Sequence, residues 1–187
     1  MIYHADKAIV AGIEFGNVRE YPMKLHIVQM ARYNAWANAR LYAMAGRLTD
    51  EQYRRDVGAY FKSLHGTLNH LLVADRIWMR RMTGNGDTPT ALDAILYDDL
   101  PSLAKARQAE DERIIAFVQS LVESQFELFW EYRMLNGTPQ KQYLREILAH
   151  VFNHQTHHRG QAHTILTVLG VQEPDPLDLL IMQREQA

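Results

Sequence analysis

The sequence predicts an all-α protein, a four-helix bundle with a short strand or hairpin insertion before the last long helix. Three features carry that expectation. Apolar residues recur every three or four positions through long segments, which is the stripe of a helix facing a core. Capping and breaking residues stand at the edges of those segments. One stretch alone has its apolar residues at every second position, the period of a strand. The chain has 187 residues, which fits a single domain at roughly 100 to 200 residues per domain.

The first helix is expected from Met23 to Gly46, since Ile27, Met30, Asn34, Ala37, Leu41, Met44 and Leu48 follow the helical spacing. Thr49 and Gln52 have the spacing of a capping box and predict a short helix behind them. A second long helix is expected from Tyr60 to Met82, ended by Thr83-Gly84-Asn85-Gly86. Its apolar or small residues fall on two sides, so both faces should be buried. Residues Thr83 to Leu100 read as a long connection with one turn at Ala91 to Leu96. Asp99 and Pro101 suit the first turn of a third helix reaching Val122. Phe126, Leu128, Trp130, Tyr132 and Met134 alternate ahead of Asn136-Gly137 and predict the strand or hairpin. Thr138-Pro139 then reads as the start of a fourth long helix that stops at Gly170. The tail from Leu177 to Met182 should pack back as an extended segment with a last turn.

Composition removes several classes of function. Twenty basic against 22 acidic residues give a net charge of -2, and the basic doublets are confined to Arg54-Arg55 and Arg80-Arg81. That is no footprint for nucleic acid or an anionic membrane. The chain has no cysteine, so disulfides, thiolate metal sites and a cysteine nucleophile are all excluded. No apolar run approaches the roughly 18 residues a membrane span needs, and a cytoplasmic location is expected.

Nine histidines is the unusual count. On the fourth helix, at roughly 100° per residue, His154 and His158 fall inside the apolar cluster of Leu144, Ile147, Val151, Ala162, Ile165 and Leu169. His150 sits at its edge and His157 points further out. An i, i+4 pair can aim two imidazoles at one ion. A lone histidine on an apolar face is more often a hydrogen-bonded core residue, but several buried together need a shared partner for their ring nitrogens. A third ligand should come from the second long helix, where periodicity does not choose between His65 and His70.

Three segments together resemble the DinB/YfiT-like family of four-helix-bundle metal proteins. They are Tyr33-Asn34-Ala35-Trp36-Ala37-Asn38, Leu68-Asn69-His70-Leu71-Leu72, and Asn153-His154-Gln155-Thr156-His157-His158-Arg159-Gly160-Gln161. The match spans Met23 to about Glu185, a single domain over 23–187, and leaves 1–22 as an N-terminal extension of uncertain order. The resemblance implies an up-down-down-up bundle and one divalent ion, zinc or nickel, held by His70, His154 and His158. It also implies uneven function, because some relatives resemble thiol-dependent S-transferases and others metal-dependent hydrolases.

Two function classes follow. One is a metalloenzyme acting on a small electrophile with an activated water or a low-molecular-weight thiol cosubstrate. The other is a non-catalytic metal-binding stress-response module. The expected partner is a small-molecule substrate, with neither nucleic acid nor membrane, and a homodimer is left open. No catalytic side chain is assigned. Asn34, polar within an apolar stripe, and Gln161, one turn beyond His158, are candidates to orient a ligand or a metal-bound group, set against readings as core hydrogen-bonding and helix-packing residues. Arg159 is expected in an interhelical ion pair, Trp36 and Trp78 in the core, and Gly160 at a close helix approach. Asp75 should accept from a histidine or pair with an arginine.

Overall fold

The computed structural model describes residues 22–186; apart from Pro22, the expected N-terminal extension lies outside the described residues. Six α-helices and one two-stranded sheet are present among them. Helix α1 is Met23–Ala45 and α2 is Asp50–Arg54, the latter opened by the expected Thr49 and Gln52 capping box. The long helices α3, α4 and α5 are Leu64–Thr83, Leu100–Ser120 and Leu144–Val168, and α6 is Leu179–Glu185. Strand β1, Phe129–Arg133, pairs antiparallel with β2, Pro139–Tyr143, from Phe129 opposite Tyr143 to Arg133 opposite Pro139.

Three boundaries differ from expectation. Helix α3 begins at Leu64, four residues late, because the Ser63 hydroxyl caps it by accepting from the Gly66 amide at 3.1 Å. The preceding residues form a tight turn in which Lys62 takes the left-handed φ of 66°. Thr138-Pro139 does not open a helix. Gly137, at φ 83°, turns the chain back, and residues 139–143 spend their backbone groups on β1 before α5 begins at Leu144. The tail runs without helix to Asp178, and its expected last turn is the longer helix α6, with Met182 buried beside Tyr33 and Ala37.

The order around the bundle is α1, α4, α3, α5, so α1 and α3 lie on a diagonal. Side-chain pairings give the directions. The Tyr97 carbonyl comes back to Asn69 near the start of α3, and Arg107 of α4 then meets Asp75 of α3 while Arg113 reaches Thr83. Helices α3 and α4 are therefore parallel, and the crossover 84–99 is as long as a parallel pair requires. Glu123, just past α4, meets Met23, and Asp111 meets Asn34 and Asn38, so α4 runs against α1. Arg159 meets Asn34, and Asp175 meets Arg47, so α5 runs with α1. The arrangement is up-down-down-up.

Besides the small cluster at α6, the core has two large apolar clusters. One apolar cluster gathers Leu41, Leu68, Leu72, Leu103 and Leu166; the other gathers Ile27, Met79, Ile114, Val151 and Phe152. Between them each long helix contributes buried polar side chains: Asn34 and Asn38, Asp75, Arg107 and Asp111, Gln155 and Arg159. Burial of charge is tolerable only where partners satisfy it, and here Arg107 lies 2.7 Å from Asp75 and 2.9 Å from Asp111. Asn34 and Asn38 donate to the same Asp111 carboxylate at 2.9 and 3.0 Å.

Candidate metal centre

At the height of this polar layer, on the outer seam between α3 and α5, three imidazoles converge. His70 Nε2 lies 3.3 Å from His154 Nε2 and 3.3 Å from His158 Nε2. One candidate ligand atom from each residue falls within 4.8 Å of the others. An ion about 2.0–2.1 Å from each nitrogen with near-tetrahedral angles would set them about 3.3 Å apart. His70 is buried, whereas His154 and His158 are half-buried and face the solvent side of the seam.

The far nitrogens decide what the near ones can do. His70 Nδ1–H donates to the Leu92 carbonyl at 2.8 Å, and His158 Nδ1–H donates to Gln161 Oε1 at 2.7 Å. In the neutral rings the proton then sits on Nδ1, and each Nε2 presents a lone pair inward. No hydrogen is left between those facing nitrogens, so lone pair opposes lone pair, an arrangement a cation would relieve. Protonation does not relieve it. Burial, and then the neighbouring imidazoles, push His154 down to about 3. Burial pushes His158 to about 4 against the upward pull of Gln161, and burial lowers His70 against the Leu92 carbonyl. All three are neutral near pH 7, the form in which histidine binds metal.

The supports of this cluster come from irregular structure. Phe61, in the turn ahead of α3, stacks on His70 with ring centroids 3.8 Å apart and meets His158 edge-on at 5.6 Å. Gly66 lets the turn sit there, because a Cβ at that position would lie 2.2 Å from the Phe61 carbonyl oxygen. Phe61 and Leu92 also line a cleft of about 640 Å³ that includes Tyr60, Lys62, Asp93 and Ile95. Neither Phe61 nor the Leu92 carbonyl is marked by a pattern in the sequence. The signal that was present is Ser63 three residues ahead of Gly66, a capping pair that places Phe61 outside the helix.

The other expected residues divide. Gln161 is at the cluster, accepting from His158 and donating from Nε2 to His157 at 3.2 Å. Asn34 bonds elsewhere, to Asp111 and to Arg159 in the polar layer. Arg159 forms no ion pair among the described residues; it donates to the neutral Asn34 Oδ1 and lies 5.1 Å over the Tyr33 ring. It lacks a counter-charge because Arg107 already occupies both buried aspartates. Asp75 takes the arginine option, with Arg107. His65 turns away to the Tyr97 carbonyl at 3.2 Å. Gly160 is exposed, and a Cβ there would meet nothing within 4 Å, so no close helix approach explains it. Trp36 and Trp78 are half-buried rim residues rather than core: Trp36 donates to Glu185, and Trp78 packs against Tyr132 and His150.

Residues 22–186 match the profile of the DinB family. The protein named Protein DinB of Bacillus subtilis (strain 168) is 27% identical over 152 residues, covering 76% of this chain and 85% of that protein. The crystal structure of a DinB-like protein from Bacillus cereus ATCC 10987 superposes with a TM-score of 0.61 at 17% identity, covering 77% of this chain and 91% of the other.

Proposed function

We propose that this chain, which belongs to the DinB family, holds one divalent ion, zinc or nickel, at His70, His154 and His158 and acts on a small electrophilic substrate with water or a thiol cosubstrate. The observation that supports the reading best is the inward convergence of lone pairs on the Nε2 atoms of His70 and His158, with their protons held on Nδ1 by Leu92 and Gln161. When bound, such an ion supplies Lewis acidity, which brings the ionisation of water or a thiol near neutral pH. Three neutral ligands leave the ion its full charge.

The chain's own residues do the rest. Phe61 shields one face of His70 from water, and the Leu92 carbonyl and Gln161 hold the tautomers. The half-exposure of His154 and His158 leaves the solvent side open to an incoming molecule. The cleft beyond Phe61 and Leu92 is lined by none of the three histidines, so an incoming molecule would reach them from the solvent side of the seam. For thiol transfer the nucleophilic sulfur must come from a cosubstrate, since the chain has no cysteine.

The test has two stages. Protein purified without a histidine tag is analysed for zinc and nickel, and a stoichiometry of one per chain is expected. The metal-loaded form is then assayed on a panel of electrophiles and esters with and without small thiols, against His154→Ala. Turnover in the wild type alone supports the enzyme. A metal-loaded wild type no faster than His154→Ala across the panel would leave a metal-binding module.

A further inference from the structure

The helical register that brings the imidazoles together has an identifiable support. Helices α3 and α5 run antiparallel, and metal–ligand distances tolerate only about 0.2 Å, so α5 must be held both in rotation and in height relative to α3. Among the described residues, the side-chain hydrogen bonds from α3 to α5 are the contacts between imidazoles and those of Gln155. Gln155 Nε2–H donates to the Leu71 carbonyl at 3.2 Å. Gln155 follows His154 in the chain and Leu71 follows His70.

We infer that Gln155 is a positioning residue of the three-histidine centre, tying the residue after one ligand to the residue after another so that His70 and His154 meet at one height. The inference rests on the reading of that centre as a metal site. Gln155 is fully buried at 0% exposure, about 100° round α5 from His154, so it points into the bundle while the imidazole points along the seam. The Leu71 carbonyl has a second lone pair for it beside the helical bond. The other end of the amide, Oε1, faces Arg159 Nη1 at 3.4 Å, and Arg159 is bonded to Asn34 of α1. The amide therefore links the ligand pair to the polar layer. Gln155 also meets the Asp75 carboxyl of α3; the side-chain bonds of that layer that do not involve Gln155 bind α1 to α4 and α5, and α3 to α4, and none of them sets the height of α5 against α3.

Cobalt(II) is the probe, because its visible bands report ligand number and geometry while its binding curve reports affinity. Wild type, Gln155→Met and Asn38→Ala are titrated at neutral pH, and the melting temperature of each metal-free form is recorded. Asn38→Ala removes a buried amide of the same layer that touches Asp111 and no ligand helix neighbour. We expect Gln155→Met to bind cobalt about 10- to 100-fold more weakly with shifted bands, and Asn38→Ala to keep wild-type affinity and bands at a comparable loss of melting temperature. Gln155→Asn, whose amide is one methylene short of the Leu71 carbonyl, is titrated alongside and should behave as Gln155→Met does; it carries the test if the methionine variant does not fold. Wild-type affinity and bands in the Gln155 variants overturn the inference alone. A weakening shared equally by Asn38→Ala also overturns it. A wild type that binds no cobalt overturns the metal reading and this inference together.

Discussion

His158 carries two duties on one ring: Nε2 faces His70 and His154, and Nδ1–H is committed to Gln161. His158→Ala should therefore remove the rise in melting temperature that added metal causes in the wild type. A ligand at a hundredfold excess over its Kd stabilises the native state by about 2.7 kcal/mol, so differential scanning calorimetry with and without zinc resolves the effect. An undiminished rise in the variant would exclude His158 as a ligand. Arg107 is the residue-scale counterpart in the interior. Replacing it by Met leaves Asp75 and Asp111 buried without their cation, at a cost of about 3–5 kcal/mol. Urea denaturation should show that loss as a lower midpoint; an unfolding free energy within about 0.5 kcal/mol of wild type would mean the two aspartates are already neutral. Burial does raise both aspartate carboxyls, and Arg107 opposes it.

Among the elements, the turn ahead of α3 has the most direct hold on the site. It has the left-handed Lys62, the Ser63 cap and the contact of Gly66 under Phe61. Gly66→Ala places a methyl group in the space of the Phe61 carbonyl oxygen, and backbone has to move. The expected result is displacement of the Phe61 ring from His70, read as loss of the upfield ring-current shift of the His70 proton between the two nitrogens. Weaker metal binding should accompany it. Retention of that shift would show that the turn adjusts elsewhere. The turn and the hairpin are also where sequence reasoning and structure part. Tyr60 to Ser63 lies next to a strongly helical segment, and nothing in its composition excludes it from that helix; a hydroxyl three residues ahead of a glycine decides the boundary. Thr138-Pro139 is a good helix start in isolation, yet the hairpin turn at Asn136-Gly137 gives residues 139–143 a strand partner first.

At the scale of the molecule, two large apolar clusters lie on either side of the polar layer, and burial of that size should hold the fold without an ion. Chelation of metal-loaded protein should lower the melting temperature while leaving the helical circular dichroism intact; collapse of that signal at 25 °C would show that the ion is needed for folding. The histidine centre also couples stability to pH. His154 and His158 are held at about 3 and about 4 in the folded chain, against about 6.5 when unfolded. Below about pH 6.5 the unfolded chain binds more protons than the folded one, so the metal-free protein loses stability as pH falls toward 4. The raised carboxyls of Asp75 and Asp111 act with the opposite sign. Urea midpoints between pH 7.5 and 4.5 in a chelating buffer should fall steeply for wild type and less so for the His154→Gln, His158→Gln double variant. Equal slopes would mean that the two rings bind protons alike in the folded and unfolded chains.

Hydrophobic periodicity, caps and breakers are local, and from them the sequence by itself determined the four long helices, the hairpin insertion and the facing of His154 and His158 on one side of α5. The choice of His70 over His65 came from the resemblance of Asn69-His70-Leu71-Leu72 to a family pattern, because a helix buried on both faces has no periodicity that selects between them. Tertiary structure alone decided the rest. Asn34, Asp75 and Arg159 read singly as a ligand-orienting group, an open question and an ion pair. They are members of one polar layer, because their partners lie up to 125 positions away along the chain and are chosen by which helices become neighbours. Leu92 enters through a backbone carbonyl, which every residue has, and Gln155 through a bond to another such carbonyl. No residue type advertises either one, and only the placement of the crossover and the register of α5 against α3 could.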